Sequence, residues 1–330
     1  MSVGGPPLTV ELRERLVPIF GADIAIERLV LLAGGASKEA WALDLRTPQG
    51  MRELLVRRAG GGVIHQATLT LEDEHRLLEV ACAAGVRVPR PHGYLGQIAG
   101  RPAFVSERVS GETIGRRIVQ RPDLAGARAA LPSQMAEELA KIHAIPPERV
   151  PFLRGGGALD VLGRLSEEVD HLEEPHPAIE LGLAWARGKA PERSEMVVLH
   201  GDLRLGNLAV TTAGLGHVLD WEFGHRGDPA EDVAWPLVRA WRFGIDHLRL
   251  GGIGEVEPYL ERYNALTGRH ITPASLDYWE IVGNLKWAIG ALTQSRRHLS
   301  GQQRSVELAV LGRLAAEMEF ELLHLLERAG

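Results

Sequence analysis

The stretch VVLHGDLRLGNLAV, residues 197–210, sets two runs of Val, Leu and Ala around a polar knot of His200, Gly201 and Asp202, with Asn207 five residues after the aspartate. The apolar flanks read as short buried strands, so the knot is a loop held at the edge of a core. Thirteen residues beyond Asn207 a second acidic group follows in LDWEFGHRGDPAEDVAW. The run His217 to Leu219 reads as a strand returning from the turn TTAGLG, which turns Asp220 toward the loop of Asp202. Two carboxylates and an amide oxygen then converge. A set of hard oxygens with no added His or Cys suits Mg²⁺ and not a transition metal, and magnesium held by few protein oxygens shares its other positions with water and phosphates.

Upstream, Glu27 to Ala33, Ala40 to Leu45 and Glu53 to Arg58 read as a small antiparallel meander with turns at a glycine pair and at TPQG. A glycine-rich break leads to LTLEDEHRLLEVACAAG, where Leu71, His75, Leu78 and Cys82 recur at helical spacing and Gly85 suits the C-terminal cap. Two further strands and an extended connector, Glu107 to Gly111, follow. Beyond residue 110 the pattern is helical, with Met135, Leu139 and Ile142 on one apolar stripe and Val306, Val310, Leu314, Met318 and Leu322 on another at four-residue steps. The division predicted is an N-lobe over 1–110, made of a nucleotide-binding sheet and one helix, and a helical C-lobe over 111–330 carrying the catalytic loop and a substrate region.

Composition bounds the function classes. The chain has 330 residues, 45% hydrophobic and 24% charged, as expected of a globular protein of more than one lobe. A net charge of −6 gives no basic field for a phosphate backbone, so nucleic acid is not an expected partner. The N-terminus has Glu and Arg where a signal peptide would be apolar, and no uncharged run approaches membrane-spanning length, so the expected location is the cytoplasm with no membrane partner. Cys82 is the single cysteine, which excludes an internal disulfide, and it reads as a small core residue. The sequence leaves the oligomeric state open.

HGDLRLGN followed by LDWE resembles the aminoglycoside phosphotransferase and choline kinase-like family, the small-molecule branch of the protein-kinase-like fold, over roughly residues 25 to 325. The resemblance implies an α+β, two-lobed fold. It implies that Asp202 orients a substrate hydroxyl and accepts its proton, that Asn207 and Asp220 hold Mg²⁺, and that ATP or GTP donates the phosphoryl group. His200 would anchor the loop, and Asp228 and Asp232 would cap the next helix or brace the loop. Gly34, Gly35 and Ser37 in LAGGASKEAWAL would cover the nucleotide phosphates, and the main chain of Glu107 and Val109 would meet the adenine edge.

The family often carries a lysine on the third strand, where this chain has LLVRRAG. Alternation puts Arg57 and Arg58 on opposite faces, and alignment with the family's strand favours Arg57, paired with Glu74. This departure admits an alternative reading, a non-catalytic nucleotide-binding regulatory module. The acceptor is expected to be a small molecule bearing a hydroxyl. From Glu231 onward the chain has 13 Asp plus Glu against 11 Lys plus Arg, too even for an acidic cup around a polycation. Trp235, Trp241, Tyr278, Trp279 and Trp287 could line a pocket beside Arg296 or Arg297 that takes an anionic group.

Overall fold

The computed structural model describes residues 6–32, 38–60, 68–192 and 194–329. The chain divides into two compact units, one of residues 1–111 and 217–224 and the other of residues 112–216 and 225–330.

The first unit is built on a five-stranded antiparallel sheet. Its strands are β1 (Ala25–Leu31), β2 (Lys38–Thr47), β3 (Gly50–Ala59), β4 (Pro91–Ile98) and β5 (Arg101–Glu107), in the order β1-β2-β3-β5-β4. The first three strands form the meander that the sequence predicts, extended by two to three residues at most ends. Register decides which side chains share a face. Glu39 lies opposite Arg58, and Ala40 lies opposite Arg57. Trp41, Leu43, Leu45, Leu54, Val56, Ala103 and Val105 therefore point one way and form a core with Leu12 and Leu16.

Those two leucines belong to α1 (Pro6–Phe20), a helix before the first predicted strand. It is tied to the β4–β5 hairpin where the N–H of Ala99, in the left-handed region at φ 48°, donates to Glu11 Oε2 at 2.6 Å. The other face of the sheet receives α2 (Leu71–Ala83), where the ring of His75 packs on Phe104. Thr70 caps α2 by accepting from the Asp73 N–H, and Glu72, Asp73 and Glu74 crowd the positive end of the helix dipole. Cys82 is half-buried and not a core residue: α2 turns Leu77, Leu78 and Ala81 inward and leaves Cys82 at the edge of that face.

The second unit is mostly helical: α3 (Gly115–Gln120), α4 (Ala125–His143), α5 (Ala158–Asp170), α6 (Pro177–Gly188), α7 (Pro229–Ala234), α8 (Val256–Thr267), α9 (Pro273–Leu299) and α10 (Val306–Ala329). Short strands β6 (Val197–Leu199), β7 (Leu208–Thr211), β8 (Gly214–Val218) and β9 (His225–Gly227) frame the polar loop. β6 pairs antiparallel with β9, and β7 forms a hairpin with β8, which begins at Gly214, earlier than the sequence predicts.

The stripe on α4 is buried at Met135, Leu139 and Ile142 as expected. The stripe on α10 is not: Val306 is 81% exposed and Val310 and Leu314 are also exposed, whereas Met318 and Leu322 are buried. A step of four residues advances 400°, so each step drifts 40° round the helix and the stripe leaves the packed face. Among the described residues no helix is long and apolar enough to cross a membrane.

Candidate functional site

In the second unit, residues 200–207 run from the end of β6 to the start of β7, and every element around them fixes the loop. Leu203 and Leu205 are fully buried and anchor it in the core. Gly201 sits at φ 78°, a conformation an L side chain rarely adopts, and this reverses the chain just before Asp202. At Gly206 a Cβ would lie 2.2 Å from Arg204 Nη1, so any larger residue there would displace the Arg204 guanidinium from its place beside Asp202.

The brace is Asp232, on α7 and fully buried. Its Oδ2 accepts the His200 N–H at 2.7 Å, its Oδ1 accepts the Gly201 N–H at 2.8 Å, and His143 Nε2 lies 3.2 Å from Oδ2. Burial alone would raise the pKa of Asp232, but the bonds and charge from His143, with His200 and the Gly201 N–H, hold it at about 2. His143 Nδ1 in turn meets the Tyr263 hydroxyl at 2.6 Å. Asp228 caps α7 through the Ala230 N–H at 2.8 Å. His200 is buried, and its Nδ1 accepts the Asp202 N–H at 3.2 Å.

The Asp202 carboxylate is held by three donors. Asn207 Nδ2 donates to Oδ2 at 2.6 Å and to the Asp202 carbonyl at 2.9 Å. Trp235 Nε1 donates to Oδ1 at 2.7 Å, and Arg204 Nε donates to the same oxygen at 3.1 Å. Because Asn207 spends its nitrogen on Asp202, its Oδ1 is the atom left to face a cation. The Arg204 guanidinium stacks 4.3 Å from the ring centre of Trp241, and Lys286 Nζ lies 4.8 Å from that of Trp235.

Trp235 and Trp241 thus stand beside Asp202, and Trp287 packs edge-on against Trp241. Tyr278 and Trp279 are buried, and Tyr278 stacks on Trp185. The structure contradicts the expectation that Arg296 or Arg297 joins these rings. Arg296 is bound to the His171 carbonyl and to Glu173, and Arg297 to Gln294 and Gln303. Nine residues of α9 separate Trp287 from Arg296, about 13 Å along the axis.

In the first unit, Arg57 and Glu74 come together: Nη1 lies 3.2 Å from Glu74 Oε1, while Nη2 donates to Asp220 Oδ1 at 3.0 Å. Burial opposes the charge on Arg57, but Glu74 and Asp220 outweigh it and hold its pKa above the usual value. Arg58 faces the other way and pairs with Glu39 at 2.7 Å. Asp220 has φ 63°, a position that Asp tolerates better than most residues.

Sequence reasoning missed Lys38. It is buried on β2, ion-paired to Glu74 and lying 2.8 Å from Glu222 Oε2. The β2–β3 register, Lys38 opposite Ala59 and Ala40 opposite Arg57, is what places Lys38 on the Arg57 face. The sequence likewise gave no role to His143, although a His on the apolar face of α4 needs polar partners. At the connector, the Glu107 N–H is taken by the Arg90 carbonyl at 2.8 Å, while Val109 has no backbone partner among the described residues. Gly34, Gly35 and Ser37 lie outside the described residues.

Among the described residues no three His, Cys, Asp or Glu side chains gather as a metal-ligand set. Asn207 Oδ1 in the second unit and the Asp220 carboxylate in the first are each hard oxygen donors of the kind magnesium takes.

The chain is similar to acyl-CoA dehydrogenase family member 10 of Mus musculus, 28% identical over 294 residues, and to acyl-CoA dehydrogenase family member 11 of Gallus gallus, 24% identical over 298. These matches cover 81% and 83% of the chain but only 26% and 38% of the relatives, so the chain spans well under half the length of either. Among solved structures, it resembles a candidate aminoglycoside phosphotransferase from Ralstonia eutropha, with a TM-score of 0.77 and 20% identity over 97% of this chain and 98% of that one. It also resembles a thermostable mutant of aminoglycoside phosphotransferase APH(4)-Ia, in a ternary complex with AMP-PNP and hygromycin B, with a TM-score of 0.64 and 16% identity over 96% of this chain and 98% of that one. The fold is that of kinase-like phosphotransferases. The model of the phosphotransferase enzyme family matches residues 28–279, and the chain belongs to that family.

Proposed function

We propose that this chain moves the γ-phosphoryl group of ATP or GTP to a hydroxyl of a small molecule in the cytoplasm, with Mg²⁺, and that Asp202 orients the hydroxyl and accepts its proton. The observation that carries this reading is the Asp202 carboxylate itself. Three donors hold it in one rotamer, on a loop whose two preceding N–H groups are fixed to buried Asp232. A group so held presents a fixed oxygen to a hydroxyl, which is the positioning that phosphoryl transfer demands of its base.

Asn207 and Asp220 would hold the magnesium ion, which when bound neutralises charge on the phosphate oxygens. Arg57, kept in place by Glu74, would stand at the phosphate end of the nucleotide site; the backbone of Gly34, Gly35 and Ser37 would cover the phosphates; Glu107 and Val109 would face the base of the nucleotide through the main chain. Arg204 and Lys286 lie over the rings beside Asp202. Both cations are ion-paired, Arg204 with Asp202 and Lys286 with Glu231, and the acceptor is a small molecule bearing a hydroxyl.

Calorimetric titration with ATP and GTP, with and without Mg²⁺, tests the reading when the Asp220→Ala variant is run beside the wild type. Magnesium-dependent binding that the variant weakens, followed by ADP or GDP release on adding pooled hydroxyl compounds, is the expected result. Nucleotide binding with no turnover of any such compound would favour a non-catalytic module, and a folded protein that binds neither nucleotide would sink both readings.

A further inference from the structure

Arg57 and Lys38 reach the same buried carboxylate from neighbouring strands. Lys38 lies opposite Ala59, and Ala40 opposite Arg57, so all four side chains share one face of the sheet. The two alanines leave room for the long cationic stems. Glu74, 2% exposed, gives Oε1 to Arg57 and Oε2 to Lys38. Each cation then holds a second carboxylate on the segment after β8: Arg57 takes Asp220 at 3.0 Å and Lys38 takes Glu222 at 2.8 Å. Two cations thus face three carboxylates. The Glu222 carboxyl is pushed up by burial and then by Asp220, as expected where negative charge is in excess.

A lysine on the third strand can pair with the helix glutamate and hold phosphates through one compact ammonium. Arg57 presents a planar fork and not a point charge, with Nη1 turned to Glu74 and Nη2 to Asp220, so both of its outer nitrogens are aimed at carboxylates. Lys38 is a flexible point charge with three N–H donors, and among the described residues its partners are the two carboxylates of Glu74 and Glu222.

We propose that the two duties are split between strands: Arg57 holds Glu74 and Asp220, and the Lys38 ammonium on β2 is a direct ligand of the nucleotide phosphates. This rests on the nucleotide reading above. Glu222 is the partner that Lys38 gives up when phosphate arrives, since Glu74 is fixed by burial and by Arg57.

The test is calorimetric titration of the full chain with ATP, GTP, adenosine and guanosine in Mg²⁺, on the wild type, Lys38→Met and Arg58→Met, with thermal unfolding as the check on folding. Lys38→Met is expected to weaken binding of the accepted nucleotide by about ten- to a hundredfold while changing nucleoside binding less than about twofold. Arg58→Met, on the opposite face, is expected to bind like the wild type. Equal weakening of nucleotide and nucleoside would make Lys38 structural only, and unchanged nucleotide binding would remove it from the site; either overturns the split while leaving the nucleotide reading intact. Binding of neither nucleotide by the folded wild type would overturn both.

If Lys38→Met does not fold, an ATP or GTP acyl phosphate answers on the wild type. A lysine amine lying at the phosphates attacks the acyl carbonyl, forms an amide and expels the nucleotide. Labelling of Lys38 that excess nucleotide prevents supports the proposal, and its absence overturns it.

Discussion

Replacing Asp232 by Asn isolates the brace of the 200–207 loop, because it keeps the shape and removes the charge and one acceptor oxygen. Oδ1 serves the Gly201 N–H and Oδ2 serves the His200 N–H, so whichever oxygen becomes NH₂ leaves one buried N–H without its acceptor. An unsatisfied buried donor costs about 1–3 kcal/mol, and weakening the surviving bond from charge-assisted to neutral adds about 1 kcal/mol. The expected loss is about 2–4 kcal/mol, read from urea titration followed by far-UV circular dichroism.

The same residue predicts a pH dependence. Its folded pKa of about 2 lies below the ordinary 3.8, so the stabilisation is present above pH 4 and is lost as pH falls toward 2. That difference corresponds to about 2 kcal/mol. Wild type should lose this increment between pH 4 and 2, and Asp232→Asn should lose correspondingly less. A variant within about 0.5 kcal/mol of wild type at pH 7 would refute the brace.

Trp235→Phe keeps an aromatic ring and deletes the Nε1 donor to Asp202; turnover is expected to fall about ten- to a hundredfold, since a bond to a charged group is worth about 1.5–3 kcal/mol, with the nucleotide Kd unchanged by calorimetry. Gly201→Ala forces an L side chain to φ 78°, and a loss of about 1–2 kcal/mol is expected in chemical denaturation; no loss would mean the turn is not fixed as described. Val306→Ser, at a position 81% exposed, should change stability by less than about 0.5 kcal/mol, whereas a core role would show a loss of 1 kcal/mol or more.

The 200–207 loop was legible as a rigid polar turn because apolar strands flank it on both sides, whereas the reach of the Asn207 amide back to the Asp202 carboxylate appears only in the structure. Alternation along β3 separated Arg57 from Arg58 because strand geometry has a strict period of two. What the sequence could not give depends on distant pairings. Lys38 gains meaning only when the register puts it beside Arg57 and the fold brings Glu74 and Glu222 to it. The Trp235 bond to Asp202 spans 33 residues, and no local pattern encodes it. The α10 stripe misled because four-residue steps look helical yet drift off any one face, and α1 was missed because prolines at 6, 7 and 18 weaken its pattern.

The proposed function turns on Asp202 as the base of a phosphoryl transfer. It is tested most directly by following γ-labelled ATP and GTP into pooled hydroxyl compounds with wild type and Asp202→Asn, after calorimetry has shown equal nucleotide binding. The account predicts labelled product from wild type and at least about a hundredfold less from the variant. Equal transfer by the two proteins would contradict it.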